Sequence, residues 1–222
     1  MNKKALVAEF IGTLTLIFIG VGAIASNAIN GGQTGLTGIA LAHGLAIAVM
    51  VSATAAISGG HLNPAVTIGL FSAKKINVKN AIGYVIAQCL GGICGAFLIK
   101  LIIPAATLTA INMGTPSLGE GITPEIGLLT EIILTFFLVF VVYGTAVHQH
   151  APKVGGLFIG LTVALDILMG GPITGAAMNP ARHLGPALLG GGLKNFWLYW
   201  IGPIIGGVLA AAVYNRVLEK QG

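Results

Sequence analysis

Six stretches of this chain are apolar, nearly free of charge and each about 20 residues long, the length a helix needs to cross the hydrocarbon core of a bilayer. They cover roughly 5–24, 36–57, 81–103, 127–147, 155–171 and 196–218. Only 8% of the 222 residues are charged and 55% are hydrophobic, against about 25% charged in an ordinary soluble domain. That balance excludes a water-soluble body, a disordered chain and a nucleic-acid binder. The 34 glycines predict closely packed helices or exposed backbone. Cys89 and Cys94 sit inside an apolar stretch and read as packing residues, not as a disulfide or metal ligands.

Basic residues collect on the cytoplasmic side of a membrane protein. Lys3, Lys4, Lys74, Lys75, Lys79, Lys153, Arg216 and Lys220 fall on one side of six alternating spans, and Lys100 and Lys194 on the other. This predicts an integral multi-pass protein with both termini cytoplasmic, and the cell membrane is its expected location. The first span starts too late and runs too long for a cleaved signal peptide, so it is expected to stay. Trp197, Tyr199 and Trp200 open the sixth span, where an interfacial aromatic belt is expected.

The two halves of the chain resemble each other. Gly60-His-Leu-Asn-Pro-Ala-Val and Ala176-Ala-Met-Asn-Pro-Ala-Arg place Asn63 and Asn179 116 residues apart. Tyr84 and Tyr199, 115 apart, begin similar stretches, and Glu9 and Glu131 sit near the start of matching spans. Three spans per half is an odd number, so the second copy enters the membrane from the opposite face. The chain reads as one domain over 1–222, with inverted repeats at about 1–110 and 123–222.

Pro64–Ser72 and 180–190 are apolar and helix-like but reach only about half the hydrocarbon thickness at about 1.5 Å per residue. They are expected to enter from opposite faces and meet at the bilayer centre by their N-termini. Each begins Asn-Pro-Ala. Asn suits the N-cap, and proline suits the first helical position, where its missing N–H has no partner to lose. The non-helical chain before each half-helix carries carbonyls without helical partners. Such backbone persists at membrane depth only when buried in protein or lining a wet cavity.

With its paired motifs Asn63-Pro64-Ala65 and Asn179-Pro180-Ala181-Arg182 and the acids Glu9 and Glu131, the chain resembles the aquaporin, or major intrinsic protein, family along nearly its whole length. The resemblance implies an all-α membrane protein with six transmembrane helices, two re-entrant half-helices and a homotetrameric assembly with one pore per subunit. It implies a passive channel for water and other small neutral solutes, no cofactor and no metal, with the lipid bilayer and the solutes as partners. Two positive helix ends facing one point disfavour a cation there. The Asn63 and Asn179 amides are expected to donate to a passing solute.

By the same resemblance the outward selectivity filter comprises His43, Ile167, Ala176 and Arg182. This set is similar to the filters of tonoplast intrinsic proteins and ammonia-conducting members, and departs from strict water pores at His43 and Ile167. It implies a wider, partly apolar gap that admits ammonia and hydrogen peroxide. Backbone of Gly59, Gly60, His61, Gly175 and Ala177 is expected along the pore. Glu9 and Glu131 are expected to accept N–H bonds from the two re-entrant loops.

Glycerol facilitators usually carry Asp and a basic residue where this chain has His183 and Ala187, which argues against the alternative of a glycerol or urea facilitator. A secondary transporter, the other alternative, needs an ion-coupling site at the midplane. Asp166 is the one buried acid without an assigned role and is expected to face away from the file, paired with another group. His148 and His150 read as solvated loop residues. No phosphate-binding loop, hydrolase elbow or His/Glu metal spacing is present, which argues against an enzyme.

Overall fold

The structure, a computed structural model, describes residues 2–218; Lys220, counted above among the inner basic residues, lies outside them. Six long helices are each apolar and long enough to cross a membrane. They are α1 (Lys3–Ile29), α2 (Gly35–Ser58), α4 (Val78–Ile102), α6 (Pro124–Val142), α7 (Gly155–Thr174) and α9 (Leu198–Val213), with α6 and α9 carried to spanning length by wider helical turns at Tyr143–Val147 and Tyr214–Leu218. Between them lie α3 (Pro64–Ser72), the short outer α5 (Ala105–Ala110) and α8 (Pro180–Pro186). The chain is thus an all-α membrane protein of six spans and two half-helices arranged as an inverted repeat.

Local chemistry sets the ends. The Asn2, Asn77 and Thr123 side chains cap the N-termini of α1, α4 and α6 by accepting backbone N–H bonds. α2 stops at Gly59 (φ +92°) and α7 at Gly175 (φ +77°). The left-handed turn at each lets the chain leave its helix and fold back into the bundle.

Glycine brings backbones together where the bundle is tightest. A methyl on Gly44 of α2 would run into the Gly160 carbonyl of α7, and a methyl on Gly160 into the Gly44 carbonyl. The half-helices use the same device. Gly69 of α3 lies against the Gly207 carbonyl of α9, and Gly185 of α8 against the Gly92 carbonyl of α4. Large apolar side chains such as Val49, Leu101 and Leu165 stay exposed on the outside, as a lipid-facing surface requires.

Three details depart from the sequence reading. The second half-helix is regular only to Pro186 and then widens through 187–191, where Gly190 takes φ +157°. α5 and the turn at Asn112–Gly114, where Asn112 and Met113 both have positive φ, were not foreseen in the outer connection. Tyr199 is no belt residue: it is fully buried, and only Trp197 of its group is exposed.

Candidate functional site

The two half-helices meet head to head. Each motif asparagine caps its own helix, Asn63 Oδ1 accepting from Ala65 N at 2.8 Å and Asn179 Oδ1 from Ala181 N at 3.0 Å. A backbone N–H can only donate, so this fixes which amide atom is nitrogen. Each Nδ2 then reaches across to the other loop. Asn63 donates to the Met178 carbonyl at 2.8 Å and Asn179 to the Leu62 carbonyl at 3.0 Å. An amide nitrogen carries two hydrogens, so each asparagine keeps one N–H beside the cavity that both residues line.

Behind the cavity the loops are braced alike. Glu9 Oε1 accepts from His61 N at 3.0 Å and Ser58 Oγ at 2.6 Å, and Oε2 accepts from Leu62 N at 2.6 Å. Glu131 Oε1 accepts from Ala177 N at 2.9 Å and Thr174 Oγ1 at 2.7 Å, and Oε2 from Met178 N at 2.7 Å. Tyr84 donates to the Ser58 carbonyl at 2.8 Å, and Tyr199 to the Thr174 carbonyl at 2.9 Å. With their N–H groups turned to buried carboxylates, the loops keep their conformation at positive φ, as at Leu62, Ala176 and Met178.

The two braces differ in one partner each. Gln88 donates to Glu9 Oε2 at 2.7 Å and to Thr67 Oγ1 at 2.9 Å, whereas the repeat offset places Pro203 at the matching position. His183 stacks on Tyr199 with ring centroids 4.2 Å apart, and neither of its ring nitrogens has a hydrogen-bond partner among the described residues. The His183 ring thus forms an aromatic plate that backs Tyr199. Tyr199→Phe is expected to leave the buried Thr174 carbonyl unpaired and to cost about 1–3 kcal/mol. Tyr84→Phe, at a less enclosed bond, costs less. Thermal unfolding in detergent checks the order.

An inner cavity of about 30 Å³ runs past Asn63 and Asn179 to Gly60, His61 and Val51. That holds a file of roughly two or three waters. An outer vestibule of about 200 Å³ opens beyond it, walled by Ile24, Ile39, Ile111 and Gly114. His43, Ile167 and Arg182 line both spaces, so they form the neck between them. Ala176 lines the inner side, together with Ala177 and Met178. Gly175 lines the vestibule, and Gly59 lines neither space.

At the neck Arg182 is buried, with Nη1 donating to the Gly114 carbonyl at 3.0 Å and its backbone N–H bonded to Asn179 Oδ1 at 3.2 Å. A carbonyl on the outer connection therefore aims the guanidinium, which keeps further donors for a solute. His43 Nδ1 lies 2.9 Å from the Ile39 carbonyl, and Nε2 is buried without a partner among the described residues. Ile167 adds a purely apolar wall to the same neck.

Asp166 lines neither space and is buried, but the pairing expected for it is missing at Oδ2, which has no partner among the described residues. His150 is exposed, and the His148 ring lies 6.2 Å from the Tyr214 ring.

Sequence reasoning passed over Ser58, Thr174, Gln88 and Gly114. The first two were findable, because they obey the 116-residue offset of the motifs. Gly114 carries no sequence signal, since any residue supplies a carbonyl.

Comparison with known proteins bears on the family and the fold. The sequence pattern of the family described as major intrinsic protein matches residues 1–214. The chain is 44% identical to aquaporin TIP4-4 of Zea mays, over 99% of this chain and 88% of that protein. It is 40% identical to aquaporin-4 of Mus musculus, over 96% of this chain and 67% of that protein. Among solved structures, the aquaglyceroporin from Plasmodium falciparum superposes with a TM-score of 0.87 at 26% identity, covering 98% of this chain and 97% of its own.

Proposed function

From the premise that this chain belongs to the major intrinsic protein family, and is a passive membrane channel for water and small solutes and not an enzyme, we propose that it passes ammonia and hydrogen peroxide with water and holds back protons and ions. The observation that carries this reading is the neck, where one cation, one imidazole and one apolar wall separate the vestibule from a single file. A solute entering there loses most of its hydration. Arg182 and the two asparagines return only a few donors, and Ile167 returns none. The toll is smallest for molecules that are compact and make few hydrogen bonds. Glycerol, with three hydroxyls to satisfy, fits poorly.

Cations meet two barriers. The guanidinium repels them at the neck, and the N-termini of α3 and α8 repel them at the centre. A water donated to by both Asn63 and Asn179 turns its own hydrogens away from the pair, which interrupts a proton-conducting chain.

Proteoliposome stopped-flow with water, ammonia, urea and glycerol side by side tests the proposal. Ammonia flux equal to that of empty liposomes would refute it. His43→Phe replaces the imidazole with a larger ring and is expected to suppress ammonia flux while water flux survives; undiminished ammonia flux in the variant would remove His43 from the filter. Assembly as a homotetramer with one pore per subunit belongs to the same proposal, and the mass of the detergent-solubilised particle tests it. Multi-pass placement in a membrane follows from the six spans and the family. The finer expectation of the cell membrane gains nothing from relatives that carry the TIP label.

A further inference from the structure

We propose that Gly20 of α1 sets the aperture of the neck by leaving room for the His43 ring, and so governs the channel's conductance although it lines neither space; the proposal rests on the channel reading above. Glycine inside a helix is a costlier choice than alanine, so its presence at position 20 asks for a steric reason. A methyl built on Gly20 would overlap Nε2, Cδ2 and Cε1 of His43. Those three atoms form one edge of the imidazole. The remaining nitrogen, Nδ1, is tied to the Ile39 carbonyl of the ring's own helix. The ring is thus anchored at one corner and seated by its opposite edge on bare α1 backbone.

His43 is 3% exposed. The open space that it borders is the pore itself, because it lines both the vestibule and the inner cavity. A side chain at position 20 therefore drives the ring toward Ile167 and Arg182, across the solute path. Gly22, two residues further along the same helix, lacks this geometry. A methyl there meets only Ile99 Cδ1, at 3.5 Å, an ordinary contact.

The test uses full-length protein in proteoliposomes, with flux normalised to inserted channels, for Gly20→Ala, His43→Ala, the double variant and Gly22→Ala. Gly20→Ala is expected to lower water and ammonia flux at least five-fold, while Gly22→Ala stays within two-fold of the unaltered protein. The double variant is expected to conduct like His43→Ala, because the ring that the methyl displaces is gone. Flux of Gly20→Ala within two-fold of the unaltered protein, or a double variant as slow as Gly20→Ala alone, overturns the proposal. If Gly20→Ala fails to insert, insertion returns in the double variant; its failure there overturns the proposal equally. Unaltered protein that conducts neither solute overturns the channel reading instead.

Discussion

Glu131→Leu is expected to yield no folded channel at growth temperature. The substitution strands three buried donors at once, the N–H groups of Ala177 and Met178 and the hydroxyl of Thr174. Each orphaned group costs about 1–3 kcal/mol, and together they rival the whole stability of a typical domain, about 5–15 kcal/mol. Glu131→Gln keeps one acceptor oxygen but turns an NH₂ toward donors, so it should fall between leucine and the unaltered protein. Thr174→Ala removes one bond to the carboxylate and also the acceptor of the buried Ala176 N–H, and should cost about 1–3 kcal/mol. Yield of monodisperse protein and its unfolding temperature in detergent check the series. A Glu131→Leu protein that folds and conducts normally would show that the loop does not depend on its carboxylate.

The second large effect is expected at Arg182. Arg182→Ala removes the charge at the neck and the bond to the Gly114 carbonyl together. A unit charge about 4 Å from a passing cation contributes about 4 kcal/mol at an effective dielectric constant near 20, close to a thousand-fold in cation passage. The variant should leak protons or small cations measurably, and urea flux should rise about ten-fold through the widened gap. The field of the two half-helices remains, so the leak stays well below that of an open ion channel. Arg182→Lys separates the two causes: it keeps a charge but loses the planar fork, so it should block cations while admitting more urea. Fluorescent pH decay and light scattering on the same vesicles measure both. Tight cation exclusion in Arg182→Ala would assign the barrier to the centre alone.

Most of the architecture was legible because a bilayer constrains sequence so strongly. The six spans show in apolar length alone, and the start of each half-helix shows in Asn-Pro. The acids Glu9 and Glu131 showed in their matching places near the start of paired spans and in the family resemblance, and the loop N–H groups that they accept from supply the physical reason. Less legible was everything decided by backbone groups. The Gly114 carbonyl that aims Arg182, and the Leu62 and Met178 carbonyls that receive the motif amides, have no residue-type signature. Tyr199 misled for a related reason. Its place at the head of a span suits an interfacial belt, yet its hydroxyl finds the Thr174 carbonyl inside. Asp166 shows the limit of pattern reading: its spacing from Ile167 put it off the pore but named no partner.

The crossed asparagine bonds bear on how transport must proceed. Asn63 belongs to one half of the chain and holds a carbonyl of the other, and Asn179 returns the grip. A carrier that alternates between sides would have to rock one half against the other and tear this clasp apart in every cycle. A protein latched at its own fulcrum has no such stroke. Its throughput is governed by how quickly molecules shuffle along a standing queue, and it should respond to warming about as weakly as diffusion in liquid water does.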